Sequence, residues 1–267
     1  MPGRPVEGEL LVHDPFKKSL EDVTQAWHKK LATFYDLNDE VEQALRILCQ
    51  DRATFGRNET IVGDGDPYRH VYLIDNGWAV RQKLLTSGSR QIVNFALPGD
   101  FLCFNATLFD TSDYHLVAKT ELQAFVIKTS SMSEMLSCHP ALALALSWAN
   151  AHEESLLAER IVSLGRRSAA QRMAHLFCEL WRRLQLLDLT NNDSFPLPVT
   201  QEDLADALGL SIVHVSRTLR QLRTGGYIEV DGREVRVLDM NGLERVAGFD
   251  DGYLHFTEAK STGYFYR

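Results

Sequence analysis

Residues 200–222 read T-Q-E-D-L-A-D-A-L-G-L-S-I-V-H-V-S-R-T-L-R-Q-L, and no other stretch of the chain narrows the fold so far. Thr200 is a helix cap that Asp203 answers three residues later, a variant of the capping box. Ala205 is small where two helices must cross closely, Gly209 suits a left-handed turn, and Val215 can wedge a second helix against the first. Leu204, Leu208, Leu210, Leu219 and Leu222 complete an apolar face, giving a helix-turn-helix pattern. A three-helix core with no DNA role would show the same apolar spacing, so the residues that follow decide between the two. Ser211 can cap the second helix, whose outward residues Ile212, Val213, His214, Ser216, Arg217 and Arg220 include two cations and no acid. Gly225-Gly226 then leads into two β-type runs, 227–230 and 234–237, around Asp231-Gly232-Arg233, the place where a winged variant carries its hairpin. In such a motif Val213, His214, Ser216 and Arg217 are the expected base readers. Thr200, Gln201, Ser211, Arg220 and Arg233 are the expected phosphate or flanking contacts.

Upstream, the pattern divides the chain further. At 267 residues two modest domains are expected. Residues 1–30 read as a polar, weakly helical arm. Val41, Ala44, Leu45 and Leu48 then fall at helical spacing behind Asn38, a competent cap. From Thr54 to Lys128 short β-rich runs alternate with turn signals, among them Gly63-Asp64-Gly65, Asn76-Gly77, Ser87-Gly88-Ser89 and Pro98-Gly99-Asp100, as in an antiparallel sandwich or barrel. Asn76-Gly77 predicts a tight hairpin between Val71–Ile74 and Ala79–Arg81. Ser131 and Glu134 fit a capping box, and Pro140 opens a long helix to Leu164, broken at Gly165. Leu142, Leu146, Ala149, Leu156, Leu157, Ile161 and Leu164 form its apolar stripe, and a helix longer than its own domain often bridges subunits. A second helix over 168–187 precedes the helix-turn-helix.

The chain carries 28 basic and 36 acidic side chains, a net charge of −8. That balance argues against a nonspecific coat for nucleic acid or membrane. The acidity is local: residues 1–164 hold 15 basic against 22 acidic groups, whereas residues 165–240 hold ten of each, every cation an arginine. Arginine's planar fork suits phosphate and guanine. Arg166, Arg167, Arg172, Arg182 and Arg183 on the second helix form either a further basic face or an ordinary solvated one. The four cysteines, 49, 103, 138 and 178, are widely spaced and suggest reduced thiols in a cytoplasmic protein, with no signal peptide and no membrane-spanning run. Enzyme motifs are missing: no G-x-S-x-G, no P-loop, no H-E-x-x-H, and no paired histidines of a cupin metal site.

Sheet module, long helix and winged helix-turn-helix, in that order, resemble the Crp/Fnr superfamily of bacterial transcription regulators, named for the cyclic-AMP receptor protein and the fumarate-nitrate regulator. The residues that carry the resemblance are Gly65-Asp66 with Tyr72-Leu73-Ile74 and Gly77, then Leu97-Pro98-Gly99-Asp100-Phe101, and Val215-Ser216-Arg217-Thr218-Leu219. The resemblance implies an α+β fold with an antiparallel β-roll of the cyclic-nucleotide-binding type over 31–138, a dimerisation helix over 139–164, a winged helix-turn-helix domain over 165–240, and a tail over 241–267. It also implies a homodimer on palindromic double-stranded DNA, with RNA polymerase as a further partner and no membrane. Arg217 matches the family's guanine-reading arginine and Ser216 the serine before it in the fumarate-nitrate branch, while Val213 replaces the acidic residue expected three positions before that serine.

For the effector, the family divides. Cyclic-nucleotide binders resemble one another in a Gly-Glu pair and an Arg-Ser or Arg-Thr pair. Here the matching stretch has Gly99-Asp100 and then no arginine between Arg90 and Arg160, so no tight cyclic-nucleotide binding is expected. The iron–sulfur branch resembles a pattern of N-terminal cysteines, and none precedes Cys49, so no cluster is expected. Haem stays open, with His70, His115 and Cys103 as conceivable ligands, as does a redox role for Cys103. The competing reading is an effector-binding sensor, of haem, redox state or a small molecule, in which DNA binding is secondary.

Overall fold

The computed structural model describes residues 25–32 and 39–256. Helix α1 (Gln25–Ala32) and helix α2 (Asp39–Leu48) precede strands β1 (Arg52–Phe55), β2 (Thr60–Val62), β3 (His70–Asn76), β4 (Ala79–Leu84), β5 (Arg90–Ala96), β6 (Phe101–Leu102), β7 (His115–Ala118) and β8 (Leu122–Lys128). The strands form two antiparallel four-stranded sheets, ordered β1-β8-β3-β6 and β2-β7-β4-β5. Val71, Ile74, Ala79, Leu116, Leu122 and Phe125 fill the space between them and against α1 and α2. This is the expected β-roll.

Asn76-Gly77 does not join paired strands: β3 lies in the first sheet and β4 in the second, so the dipeptide carries the chain across the roll. The positive φ of +94° at Gly77 is real, and a side chain there would run into the backbone of Glu121 and Leu122. The true hairpin is β4–β5, closed at Ser87-Gly88 by Leu85 N–H donating to Ser89 O at 2.8 Å. A bulge between Arg81 and Gln82 sets Arg81 directly opposite Asn94.

Helix α3 (Thr129–Cys138) starts two residues before Ser131, with Lys128 at the cap position and no side-chain cap, so the proposed Ser131–Glu134 box lies inside the helix. Helix α4 (Pro140–Arg166) opens on Pro140 as expected and continues through Gly165 for 27 residues, about 40 Å at 1.5 Å per residue. Helix α5 (Ala169–Leu186) is capped by a reciprocal Ser168–Gln171 box. Strand β9 (Ser194–Pro196), helices α6 (Gln201–Leu208) and α7 (Ile212–Thr224) and strands β10 (Ile228–Asp231) and β11 (Glu234–Val237) follow, with β9 joining the wing as a third strand in the order β10-β11-β9.

The C-terminal domain does not stop at residue 240. Helix α8 (Met240–Ala247), capped by Asp239, buries Leu243 and Ala247, and a 3-10 turn (Asp251–Leu254) buries Leu254. The expected tail is therefore structural as far as residue 256, and the apolar spacing of Leu243, Val246 and Ala247 is its sequence signal. At the other end, Trp27 and Leu31 of α1 are buried, so the expected arm is part of the fold over Gln25–Ala32; Asn38, the proposed cap of α2, lies outside the described residues. One apolar core joins the domains: Trp78, Val80, Ile92, Phe95 and Val117 of the second sheet belong to the same cluster as Phe177, Leu204, Leu208 and Val215. No helix of the described residues is long and apolar enough to cross a membrane.

Candidate nucleic-acid interface

The DNA-facing element is built from its caps inward. The Thr200 hydroxyl accepts from Asp203 N–H at 3.0 Å and donates to Asp203 Oδ2 at 2.9 Å, and Thr200 N–H donates to the same oxygen at 2.9 Å, so the cap consumes the polar groups of Thr200. Gly209 closes α6 in the left-handed conformation at φ +61°. A methyl built there would stand 3.3 Å from Leu164 Cδ2, so the tip of α4 rests on the turn of the motif. Ser211 Oγ accepts from His214 N–H at 3.3 Å and starts α7.

The two faces of α7 are cleanly divided. Val215, Thr218, Leu219 and Leu222 are buried against α6 and α5. Val213, 65% exposed, Ile212, His214, Ser216, Arg217 and Arg220 face out. Arg217, Arg220 and Arg223 form no ion pair among the described residues, so their guanidinium groups are available to an external anion. Gly232 (φ +58°) turns the wing and leaves Arg233 exposed beside it, and Gln201 and Ser211 are exposed at the starts of α6 and α7. The expected base readers and flanking residues are all solvent-exposed, although the hydroxyl of Thr200 is engaged in its own helix cap.

The arginine cluster expected on one helix is split: Arg166 ends α4, Arg167 lies at the junction, and Arg172, Arg182 and Arg183 stand on α5, and those with partners are directed inward. Arg172 Nη1 donates to Leu208 O at 2.8 Å and its Nε to Arg167 O at 2.9 Å, capping the ends of α6 and α4. Arg167 pairs with Glu159 at 2.6 Å and Arg182 with Glu244 at 2.9 Å. Arg183, 3% exposed, donates to Asp100 Oδ2 at 3.0 Å and to Phe95 O at 2.9 Å. Of the five, Arg166 and Arg172 form no ion pair among the described residues, and Arg172 is held by carbonyls instead; the cluster ties the molecule together and is not a second basic face.

The stripe named for dimerisation divides in the same way. Leu142, Leu146 and Leu156 are buried within their own chain, Ala149, Leu157 and Leu164 are half-buried, and Ile161 is 71% exposed. A second stripe faces outward: Leu144, Ala151, Ala158, Val162 and Gly165 are exposed, with Trp148 and Ser155 half-buried between them, at alternating steps of four and three. Its small residues give a weak hydropathy signal, and the large leucines outweigh it in the sequence.

The roll holds a cleft of about 50 Å³ lined by Arg81, Asn94, Cys103, Asn105, Tyr114, Asn150 and Glu153. Arg81 enters it from β4, upstream of the stretch that resembles the cyclic-nucleotide pattern. Its Nη2 lies 3.4 Å from Glu153 Oε2 and its guanidinium 5.3 Å from the centre of the Tyr114 ring, while Asn94 Nδ2 donates to Glu153 Oε1 at 2.7 Å. Burial pushes the Cys103 thiol up to about 11, which keeps it protonated. His115 Nδ1 accepts from Asp64 N–H at 3.4 Å, His70 lies beside Tyr72, and no group of three or more His, Cys, Asp or Glu side chains among the described residues is arranged to hold a metal ion.

Comparison with known proteins agrees with this arrangement. A family model described as the Crp-like helix-turn-helix domain matches residues 171–246, and one described as the cyclic nucleotide-binding domain matches residues 52–139. The nitrogen fixation regulation protein FixK of Bradyrhizobium diazoefficiens is 33% identical over 196 residues, covering 73% of this chain and 81% of FixK. The chain belongs to the Crp/Fnr family. Another similar member is the transcriptional activator protein FnrL of Cereibacter sphaeroides, 31% identical over 75% of this chain and 82% of FnrL. Among solved structures, FixK2 from Bradyrhizobium japonicum superposes with a TM-score of 0.68 at 28% identity, over 73% of this chain and 96% of FixK2. As a Crp/Fnr protein the chain is a transcription regulator, and its helix-turn-helix domain binds DNA.

Proposed function

We propose that this regulator works as a homodimer on a two-fold symmetric DNA site, with α7 of each protomer in a major groove, and that it does so without a cyclic nucleotide. The observation that carries the reading is the outward face of α7, where Arg217 and Arg220 stand exposed with no ion partner among the described residues. Two such helices would enter grooves about 34 Å apart. The pairing surface is the outward stripe of α4, whose exposed small residues, Ala151, Ala158 and Gly165, let two helices approach closely. Arg217 would read guanine through paired hydrogen bonds, and Val213, an apolar side chain where an acid stands in related regulators, suits a thymine methyl. Activity in the cytoplasm and contact with RNA polymerase belong to the same reading.

The cleft of the roll supports the second part of this reading, because it offers a cyclic phosphate no unengaged guanidinium. Its guanidinium, that of Arg81, is already engaged by Glu153, with Nη2 3.4 Å from Oε2. Selection of bound duplexes from a random pool tests the function: a two-fold symmetric consensus is expected. On that consensus Arg217→Ala should cost about 1–3 kcal/mol, a factor of about 5 to 150, and relax the preference at one base pair. Equal binding of consensus and scrambled duplexes by wild type would refute the proposal.

A further inference from the structure

Asp203 is 1% exposed, and its two carboxylate oxygens do different work. Oδ2 closes the cap of α6 through Thr200, as described above. Oδ1 faces the other way, into the roll, where it accepts from Lys119 Nζ at 2.7 Å and from Arg90 Nη2 at 3.1 Å. Arg90 also reaches Asp206 Oδ2 at 2.6 Å, one turn further along α6, and Gln91 Nε2 donates to Ala207 O at 3.4 Å. Two cations of the roll therefore meet two carboxylates of α6, and the joint is neutral overall. Arg90 is further steadied by Gln82 Oε1 at 3.4 Å, on the neighbouring strand of the same sheet.

Neither cation belongs to the helix-turn-helix itself. The motif is held by Leu204, Leu208, Val215, Leu219 and Leu222, and by its own caps. What Lys119 and Arg90 add is direction, because charge-assisted bonds to a buried carboxylate fix angle as well as distance. The helix they grip packs on α7, so its placement fixes where the base-reading face stands relative to the roll and the long helix.

We infer that Lys119 and Arg90 are positioning residues for DNA recognition. By holding α6 through Asp203 and Asp206 they set the separation and tilt of the two α7 helices in the dimer, and so the spacing of half-sites that the protein accepts. The inference rests on the dimeric reading above, and the experiment separates the two.

Full-length wild type, Lys119→Met, Arg90→Gln and Lys119→Arg are compared by fluorescence anisotropy on three kinds of duplex. These are the palindrome selected from the random pool, a duplex carrying one half-site, and palindromes lengthened by one or two base pairs at the centre. Lys119→Met should bind the half-site within twofold of wild type, lose about tenfold on the palindrome, and discriminate less against the lengthened sites. Arg90→Gln, at a partly exposed position that does not endanger folding, should show the same split. Lys119→Arg, which keeps the charge, should recover most of the palindrome affinity. An equal loss on half-site and palindrome would overturn the inference by making the role one of local folding. Unchanged palindrome affinity and spacing preference in both Lys119→Met and Arg90→Gln would overturn it too, as would tighter binding by either, which would make the joint a restraint. A wild type that does not prefer the palindrome to the half-site would remove the dimeric reading itself.

Discussion

Replacing Arg183 with methionine is the sharpest single test of how the two domains are held together. Arg183 projects from α5 into the roll and satisfies three acceptors at once: Asp100 Oδ2 at 3.0 Å, Phe95 O at 2.9 Å and Glu179 Oε1 at 3.5 Å. Methionine retains much of the volume and none of the bonds. Breaking a buried ion pair by removing one partner typically costs about 3–5 kcal/mol. The lower end applies here, because neither carboxylate is stranded. Asp100 keeps Lys30 and the Leu97 amide, and Glu179 keeps Arg160 at 3.2 Å and the Tyr253 hydroxyl at 3.2 Å. The Phe95 carbonyl is left without that donor, at about 1–3 kcal/mol. A total of about 4 kcal/mol, taking the low end of both, lowers the melting temperature by roughly 8–16 °C in a chain of this size, at about 2–4 °C per kcal/mol. Differential scanning calorimetry reads both this shift and a separation of the roll and DNA-domain transitions as their joint loosens. A melting temperature within 2 °C of wild type, roughly a 1 kcal/mol change, would refute the reasoning.

Three further outcomes follow from the geometry. Val162→Glu places a charge on the outward stripe of α4 and should convert a micromolar dimer to monomer in light scattering, whereas Glu154→Gln on the polar side should not. Calorimetric titration with cyclic AMP should give no saturable heat at micromolar ligand, since the nucleotide would have to displace Glu153 from Arg81 and Asn94. Stability should fall as pH drops from about 6.5 to 4. His175 sits between the rings of Phe249 and Tyr253, and burial, reinforced by Arg167 and Arg160 against the opposing pull of Glu159, brings its imidazole down to about 4. The unfolded chain takes up the proton first, so folding loses about 3 kcal/mol across that window. Below it Asp100 adds to the loss: burial pushes its carboxyl up, but Lys30 and Arg183 outweigh burial and hold it below the ordinary range. Its contribution is present above the unfolded value and disappears as pH falls through the folded one. Urea unfolding across pH 4–8 that shows no such decline would contradict the burial argument for His175.

The helix-turn-helix and wing were legible because each junction carries its own local chemistry: Thr200 with Asp203, the left-handed Gly209, Ser211, and Gly232. The outward and inward faces of α7 followed from helical spacing alone. What stayed hidden depends on which surfaces meet. Asn76-Gly77 declares a turn without naming the strand that follows it in space, so a sheet crossing looks like a hairpin. The arginines at the α4–α5 junction and along α5 have the composition of a DNA-binding face, and only their partners, Asp100, Glu159, Glu244 and the carbonyls of Phe95 and Leu208, reveal an internal frame. On α4 the largest apolar side chains, Leu142, Leu146 and Leu156, serve the chain's own core, while the exposed stripe is made largely of small residues that hydropathy barely marks. Arg81 carries no local signal because its cleft is assembled from β4, β5, β6, β7 and α4, and its partner Glu153 lies 72 residues further along the chain.

The contact between Leu164 and Gly209 makes α4 a mechanical lever. A rod of about 40 Å that pivots by 3° near Pro140 moves its far end by about 2 Å, and that end bears directly on the turn that aims α7. Slight changes in how two such rods cross would thus reach the DNA-reading face amplified, with the missing side chain at Gly209 leaving no cushion to absorb them.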